Sequence, residues 1–297
     1  MKNEFDICVS NYDKRFSFHV FNVSSINNPI NNTVMFVMGK VQDKISNIEA
    51  VKQCLIFWQS EIAVPNGLTT NNAVVMAEEP RTEYCRFFKV NNIRNMPKAE
   101  EFSFINGSFI CNDAKVDESC VIMPGAYIGS DVCVGKNVYI GSGVKIVGKV
   151  QIGDNVVIRE NAVIGADGLR TDRYHDGSAV TMPHFGGVVI GDDVDIGANT
   201  VIARGAIDNT VIGDGAKIDN SCFISHGVHI GKHTFVVGET IMFGSSSCGE
   251  RAFISGNSTI RNGIHVGDDS TVGMGAVVTK SVPNNTVVIG NPAKSKQ

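Results

Sequence analysis

An excess of charge of either sign is the first thing this sequence lacks. Its 26 Lys and Arg stand against 30 Asp and Glu, a formal net charge of −4. That balance gives neither a nucleic-acid-binding surface nor a polybasic membrane patch. No apolar run is long enough to span a bilayer. The opening stretch MKNEFDICVSNYDKRF lacks the basic-then-apolar order of a signal peptide, so a cytoplasmic location is expected. The eight cysteines form no CxxC pair. Several fall where a small apolar filler is wanted, and a reduced chain without disulfides is expected. At 297 residues the chain can hold one large or two ordinary domains.

What is present is a six-residue rhythm. Aliphatic residues recur at Ile110, Val116, Ile122, Ile128, Val134, Ile140, Ile146, Ile152, Ile158 and Ile164. The rhythm returns at Ile190, Ile196 and Ile202, and again from Ile212 through Ile224, Met242 and Ile260 to Val278. Six fits neither a helix nor an alternating strand; it is the period of a hexapeptide β-helix. Three hexads make a triangular coil of about 18 residues, stacked on the next at about 4.8 Å. A residue and its counterpart three hexads on therefore share a face. Glycine is expected to supply the corner conformations that a Cβ opposes. The expected fold is mainly β, a left-handed parallel β-helix of about eight coils preceded by a small α/β domain.

The boundaries follow from where the rhythm stops. Residues 1–105 carry no hexad and form the small domain, a candidate for nucleotide recognition; 106–297 form the β-helix. In the first part FSFHVFNV, NTVMFVMG, CLIFW and NAVVMAEE read as strands. ISNIEAVKQ and PRTEYCRFFKVNNIR read as helices, the second with Pro80 in its first turn, and MPKAEEFSF as the junction. Residues 165–187 break the solenoid as a long polar loop, which marks a functional segment. A four-residue slip follows in ARGAIDNT. The tail, 281–297, is expected to fold back as a cap.

His226, two places after core Ile224, should point off the prism. The stacking rule puts Arg204 one coil below it, and Gly244, Asn262 and Lys280 above. Histidine is the side chain best suited to exchange a proton near neutral pH. A bare glycine N–H at 244 can receive an oxyanion. Lys280, three coils up, reads either as a solvated charge or as the contact for the anionic end of a long carrier arm. His19, His175, His229, His233 and His265 read as ordinary surface histidines.

The stretch from VVIGDDVDIG to ISHGVHIG (188–231), with GADG (165–168) and MPHFG (182–186), resembles the UDP-3-O-acylglucosamine N-acyltransferase family of lipid A synthesis. The similarity covers about 160–262 and includes both register breaks. EPRTEYCRF (79–87) is similar to that family's nucleotide-recognition domain. DDSTVGMGAVVTKSVPNNTVVIGNPAK instead resembles acetyl-CoA-dependent acetyltransferases of nucleotide-linked amino sugars. The resemblance implies His226 as general base and Gly244 as oxyanion donor. It further implies a homotrimer with active sites between subunits. Substrate-contact candidates are Arg204, Asp208, Asn220, His184 and Asp167, with Arg81 and Tyr84 in the first domain. Those for the acyl-CoA are Gly244, Asn262, Lys280, Gly275 and Ala276. The chain departs from the family at Ala203, where Asp is usual before the RGA turn, and at Gly263, which aligns with a second functional histidine. MFVMGKVQDK stands in place of an Asn-Pro-Tyr segment, and GNPAK replaces carrier-binding helices. Gly227 occupies a position where amino-sugar acetyltransferases often have an acid that orients the histidine, so Asp208 or Asn220 is a candidate for that task.

The expected activity is N-acyl transfer, acetyl or short hydroxyacyl, from acyl-CoA to a dTDP- or UDP-linked amino-deoxy sugar for surface polysaccharide, with no metal. The alternative is the lipid A enzyme proper, using acyl carrier protein. A zinc hydratase would need three converging histidines, and His226, His229 and His233 fall at different points of the repeat. A non-catalytic scaffold is the last reading.

Overall fold

The computed structural model describes residues 3–94 and 100–295 and divides into two compact units. The larger, Pro97–Gly168 with Gly186–Gln297, is a left-handed β-helix. Two of its sheets have ten strands and the third eight. Among the described residues, apart from two antiparallel end strands, Phe102–Ile105 and Lys294–Ser295, every pairing is parallel, which gives nine coils on the two longer faces. Ile224 pairs with Met242 and Met242 with Ile260, the single-coil step that the hexad period predicts. The aliphatic columns merge into one continuous core, with Ile140, Ile158, Ile224, Met242 and Ile260 fully buried. Cys222 and Cys248 fill gaps in it, and burial pushes their thiols up to about 11 and about 12.

The register breaks are visible as longer steps. Ile164 pairs with Ile202, a bulge follows between Ile164 and Asp167, and Ile202 in turn pairs with Ile224. Both steps span more chain than the one from Ile224 to Met242, the first by far the more. The coils stay in phase because the extra chain leaves at a corner.

Glycine and asparagine share the left-handed corners. Gly125, Gly143, Gly215, Gly227, Gly263 and Gly275 supply the conformation expected of glycine there, and Asn137, Asn155, Asn161, Asn199 and Asn257, whose short polar side chains tolerate that region, fill others. Gly153 and Gly191 have no such φ; a Cβ on either would come within 2.8 Å of the next coil's backbone. They are required by close approach, not by conformation. Asp154 and Asp192 then cap the coil beneath, accepting from the Lys136 and Asp154 N–H groups at 2.7 and 2.8 Å.

Several boundaries shift. The β-helix unit begins before residue 106, because Phe102–Ile105 pairs with Ser108–Cys111. The expected junction lies partly outside the described residues, at 95–99. The tail continues the solenoid as far as Val287–Ile289, which pairs with Thr271–Val272, and only then folds back.

The smaller unit comprises Met1–Met96 and Leu169–Phe185. Its sheet of four parallel strands is Asn22–Val23, Thr33–Val37, Leu55–Gln59 and Ala73–Ala77. A parallel sheet must be covered on both faces. Ile48, Leu68 and Trp58 lie in the core on one side. Helix Pro80–Val90 packs on the other, with Tyr84 5.0 Å from Phe36 and Phe87 6.4 Å from Phe57. The helix stops four residues short of expectation, where Asn91 Nδ2 donates back to the Phe87 carbonyl. The other expected helix is instead a 3₁₀ stretch, Gly39–Ile48; Gln53, in the left-handed region, turns the chain into the next strand.

The expected loop 165–187 is largely a hairpin, Thr171–Arg173 with Ala179–Thr181. It belongs to this smaller unit. Asp172 accepts from Arg81 at 2.8 Å, Tyr174 lies under Arg86 and Lys89, and Phe185 packs on Phe5 and Phe88. Deleting 169–181 therefore removes packing, not only a surface loop. Among the described residues no helix is long and apolar enough to cross a membrane.

Two stability predictions result. Ile254→Ala should cost about 2–5 kcal/mol, read as a lower urea midpoint at unchanged slope. Arg81, donating to Asp172, holds that carboxyl below its usual range, helped by the Arg173 N–H. A depressed carboxyl stabilises the fold above about pH 4 and loses that contribution as pH falls through its folded value. Asp172→Asn should thus lower the unfolding midpoint at pH 7, with the gap closing in acid. The fluorescence of Trp58, the only Trp and buried in the same unit, reports it.

Candidate active site

His226 follows the strand Phe223–Ile224 at a corner of the prism and is half-buried. Two bare backbones flank its imidazole. A Cβ on Gly244, one coil on, would stand 2.5 Å from Nε2 and 2.6 Å from Cε1. A Cβ on Gly168 would stand 2.9 Å from Nδ1 and 3.2 Å from the His226 Cβ. Neither glycine has a left-handed φ, so each is held to glycine by the ring beside it. The Gly244 N–H donates to no acceptor among the described residues. The arrangement sets a proton-exchanging nitrogen beside an unengaged N–H, the two groups that addition to a carbonyl calls for.

Residues that sequence reasoning passed over hold the ring. The buried Ser225 places Oγ 3.2 Å from His226 Nδ1. Thr210 Oγ1 accepts from the Gly227 N–H at 2.9 Å and donates to the Ala203 carbonyl at 2.7 Å, tying the corner to the slip. Gly227, at φ 66°, needs the left-handed region at that corner. For Gly168 the signal was the GADG motif itself. For Ser225 and Thr210 there was none beyond proximity, since Ser and Thr also fill structural positions throughout the repeat.

The other candidates separate. Arg204 is 7% exposed and braces the first register break, its Nε donating to the Gly186 carbonyl at 2.9 Å and lying 3.7 Å from Asp167. Asp167 is exposed beside it, and Asp208 stands half-buried in the slip, its carbonyl against Gly205 and Gly186. Asn220 occupies a corner one hexad away, accepts from the Ala198 N–H at 2.6 Å, and lines a groove of about 350 Å³ with Arg159, Lys217 and Phe235. It does not orient His226. Asn262, Gly275 and Lys280 are exposed, whereas Ala276 is fully buried in the core and offers a carrier nothing. In the smaller unit Tyr84 is fully buried among aromatics, His184 is buried, and Arg81 is engaged with Asp172. Helix packing claims the first of these, and an ion pair the last.

Residues 134–166 match the bacterial transferase hexapeptide family (six repeats), and 177–204, 187–226 and 247–280 match the hexapeptide repeat of succinyl-transferase. The larger unit thus carries hexapeptide repeats similar to those of bacterial transferases. More particularly, the chain is similar to UDP-3-O-acylglucosamine N-acyltransferases. That of Bordetella avium is 44% identical over 124 residues, and that of Delftia acidovorans 41% over 128. These matches cover 41% and 43% of this chain but 34% and 38% of those proteins, so the chain spans little more than a third of the relatives it matches. In fold it is similar to UDP-N-acetylglucosamine acyltransferases from Campylobacter jejuni and Bacteroides fragilis. Their TM-scores are 0.58 and 0.59 at 22% and 24% identity, over 66% and 65% of this chain and 74% of each of theirs.

Gly244→Ala should push the imidazole aside without unfolding the coil. A crystal structure of the variant, with the ring displaced and the melting point within a few degrees of wild type, is the expected result.

Proposed function

We propose that this chain transfers an acyl group from a carrier thioester to the amine of a UDP-linked amino sugar. The observation that carries the reading is the His226 ring held between Gly168 and Gly244. The amine attacks the thioester carbonyl and forms the new C–N bond. His226 accepts the amine proton while the Gly244 N–H donates to the oxyanion. The C–S bond then breaks, and the departing thiolate takes the proton from the imidazolium. No acyl-enzyme is needed. Asn262, Gly275 and Lys280, exposed on the coils above, are the surfaces along which a pantetheine arm extends.

The relatives' name favours a 3-O-acylated glucosamine acceptor over the dTDP- or UDP-linked deoxy sugars first expected. The C-terminal stretch, ending GNPAK, keeps acyl-CoA as the second reading for the donor. Steady-state assays with acetyl-CoA, hydroxybutyryl-CoA and hydroxyacyl carrier protein against UDP-3-O-acylglucosamine and a panel of UDP- and dTDP-amino sugars separate the two. Turnover with the carrier protein and the acylated glucosamine alone selects the lipid A reaction. Turnover with acyl-CoA and a deoxy sugar selects the second, and no amide product from any pair contradicts both. With the productive pair, His226→Ala should lower kcat by about 10²–10⁴.

The flat faces carry Phe223, Phe235 and Phe253 at 36%, 47% and 41% exposure, which suits burial against neighbouring prisms in a homotrimer. Sedimentation should give three times the chain mass of 31.9 kDa; a monomer would contradict this.

A further inference from the structure

Far from the hexad repeat in sequence, the smaller unit holds a second cluster of chemically capable groups. Strand Ile7–Cys8 pairs antiparallel with His19–Val20, and the register sets Cys8 directly opposite His19. Residues directly opposite in such a pair carry their Cβ atoms about 5 Å apart. His19 Nδ1 lies 2.5 Å from Asp6 Oδ1. Cys8 Sγ lies 3.3 Å from Ser10 Oγ and 3.8 Å from the Ser17 carbonyl. The site is open: His19 and Asp6 are 46% and 64% exposed, and Cys8 is half-buried. By contrast Cys54, Cys85, Cys111, Cys222 and Cys248 are buried. A thiol set opposite an imidazole that pairs with a carboxylate brings together the residue types of nucleophile, base and orienting acid found in activated cysteines.

We propose that Cys8, His19 and Asp6 form a nucleophilic thiol site that exchanges with low-molecular-weight disulfides. Asp6 holds the imidazole as the cation, and Ser10 and His19 favour the thiolate. The thiolate attacks one sulfur of the disulfide and a protein–small-molecule S–S bond forms. The original S–S bond breaks, and the leaving thiolate takes the proton from His19. The small disulfide is the only oxidant required. The electrostatics agree with the geometry. Hydrogen bonds from Ser10, then the charge of His19, hold the Cys8 thiol below its ordinary value, and Asp6 raises His19. The other charged groups of the adjoining turn are Asp13 and Arg15, bound to each other, and the exposed Lys14.

The test is the rate of mixed-disulfide formation with 4,4′-dithiodipyridine, followed for each cysteine by peptide mass spectrometry from pH 5 to 9. Cys8 should react with a pH midpoint below the value of about 8.5 for a free thiol. His19→Asn should move the midpoint up and slow the reaction at pH 6 by about three- to tenfold, the loss of thiolate being partly offset by its greater intrinsic nucleophilicity. Asp6→Asn, at an exposed side chain, should shift it the same way and serves if His19→Asn does not fold. A Cys8 midpoint at the free-thiol value, unchanged by both substitutions, would overturn the proposal.

Discussion

The backbone ladder between successive coils fixes everything else in the larger unit. Each short strand is hydrogen-bonded to the strand one coil below and one above. Between Ile110 and Val278 that step changes length only at the two register breaks. A one-residue slip in a strand would reverse its core and solvent faces. Here the core is a single file of aliphatic side chains with nothing to replace it. Added chain therefore leaves at corners, and in whole segments.

That restriction explains why the site lies where it does. The chain adds residues at two steps, and His226 sits just past the strand that closes the second. The bulge at the first break lets the backbone of Gly168 approach the ring, and Arg204 is drawn under the corner to brace the exit of the chain. Thr210, at the re-entry from the second break, ties down the corner at Gly227. In an unbroken stack a corner would present only the short side chains of the next coil. The two breaks turn one corner into a slot bounded by bare backbone, where a planar carbonyl can approach a nitrogen base from the open side.

The coil, its period and the column from His226 to Gly244 were legible because stacking at a fixed step of three hexads converts position directly into geometry. The same rule could not follow side chains that turn back. Arg204 shares the column with His226 in register, yet its long stem runs inward to the Gly186 carbonyl. Asn220 lies at a different corner from His226, since two residues after a core aliphatic describes every corner of the coil. The corner glycines answer to two demands, since Gly143, Gly215 and Gly275 take the left-handed conformation expected of them while Gly153 and Gly191 are fixed by close approach. In the smaller unit no period was available. A helix with Arg81 and Tyr84 one turn apart looks the same whether it faces a ligand or a sheet, and here it faces Phe36. The hairpin within 165–187 was hidden because its partners, Arg81 and Thr82, lie far away in the sequence.

If the slot at this corner is where the acyl carbonyl reacts, its occupant can be seen directly. A crystal structure with a ketone analogue of the thioester donor, methylene in place of sulfur, is the decisive measurement. The ketone oxygen should lie within about 2.7–3.1 Å of the Gly244 nitrogen, with the carbonyl carbon facing the side from which His226 Nε2 is reached. An analogue bound with its carbonyl at another corner, or on a flat face of the prism, would contradict it.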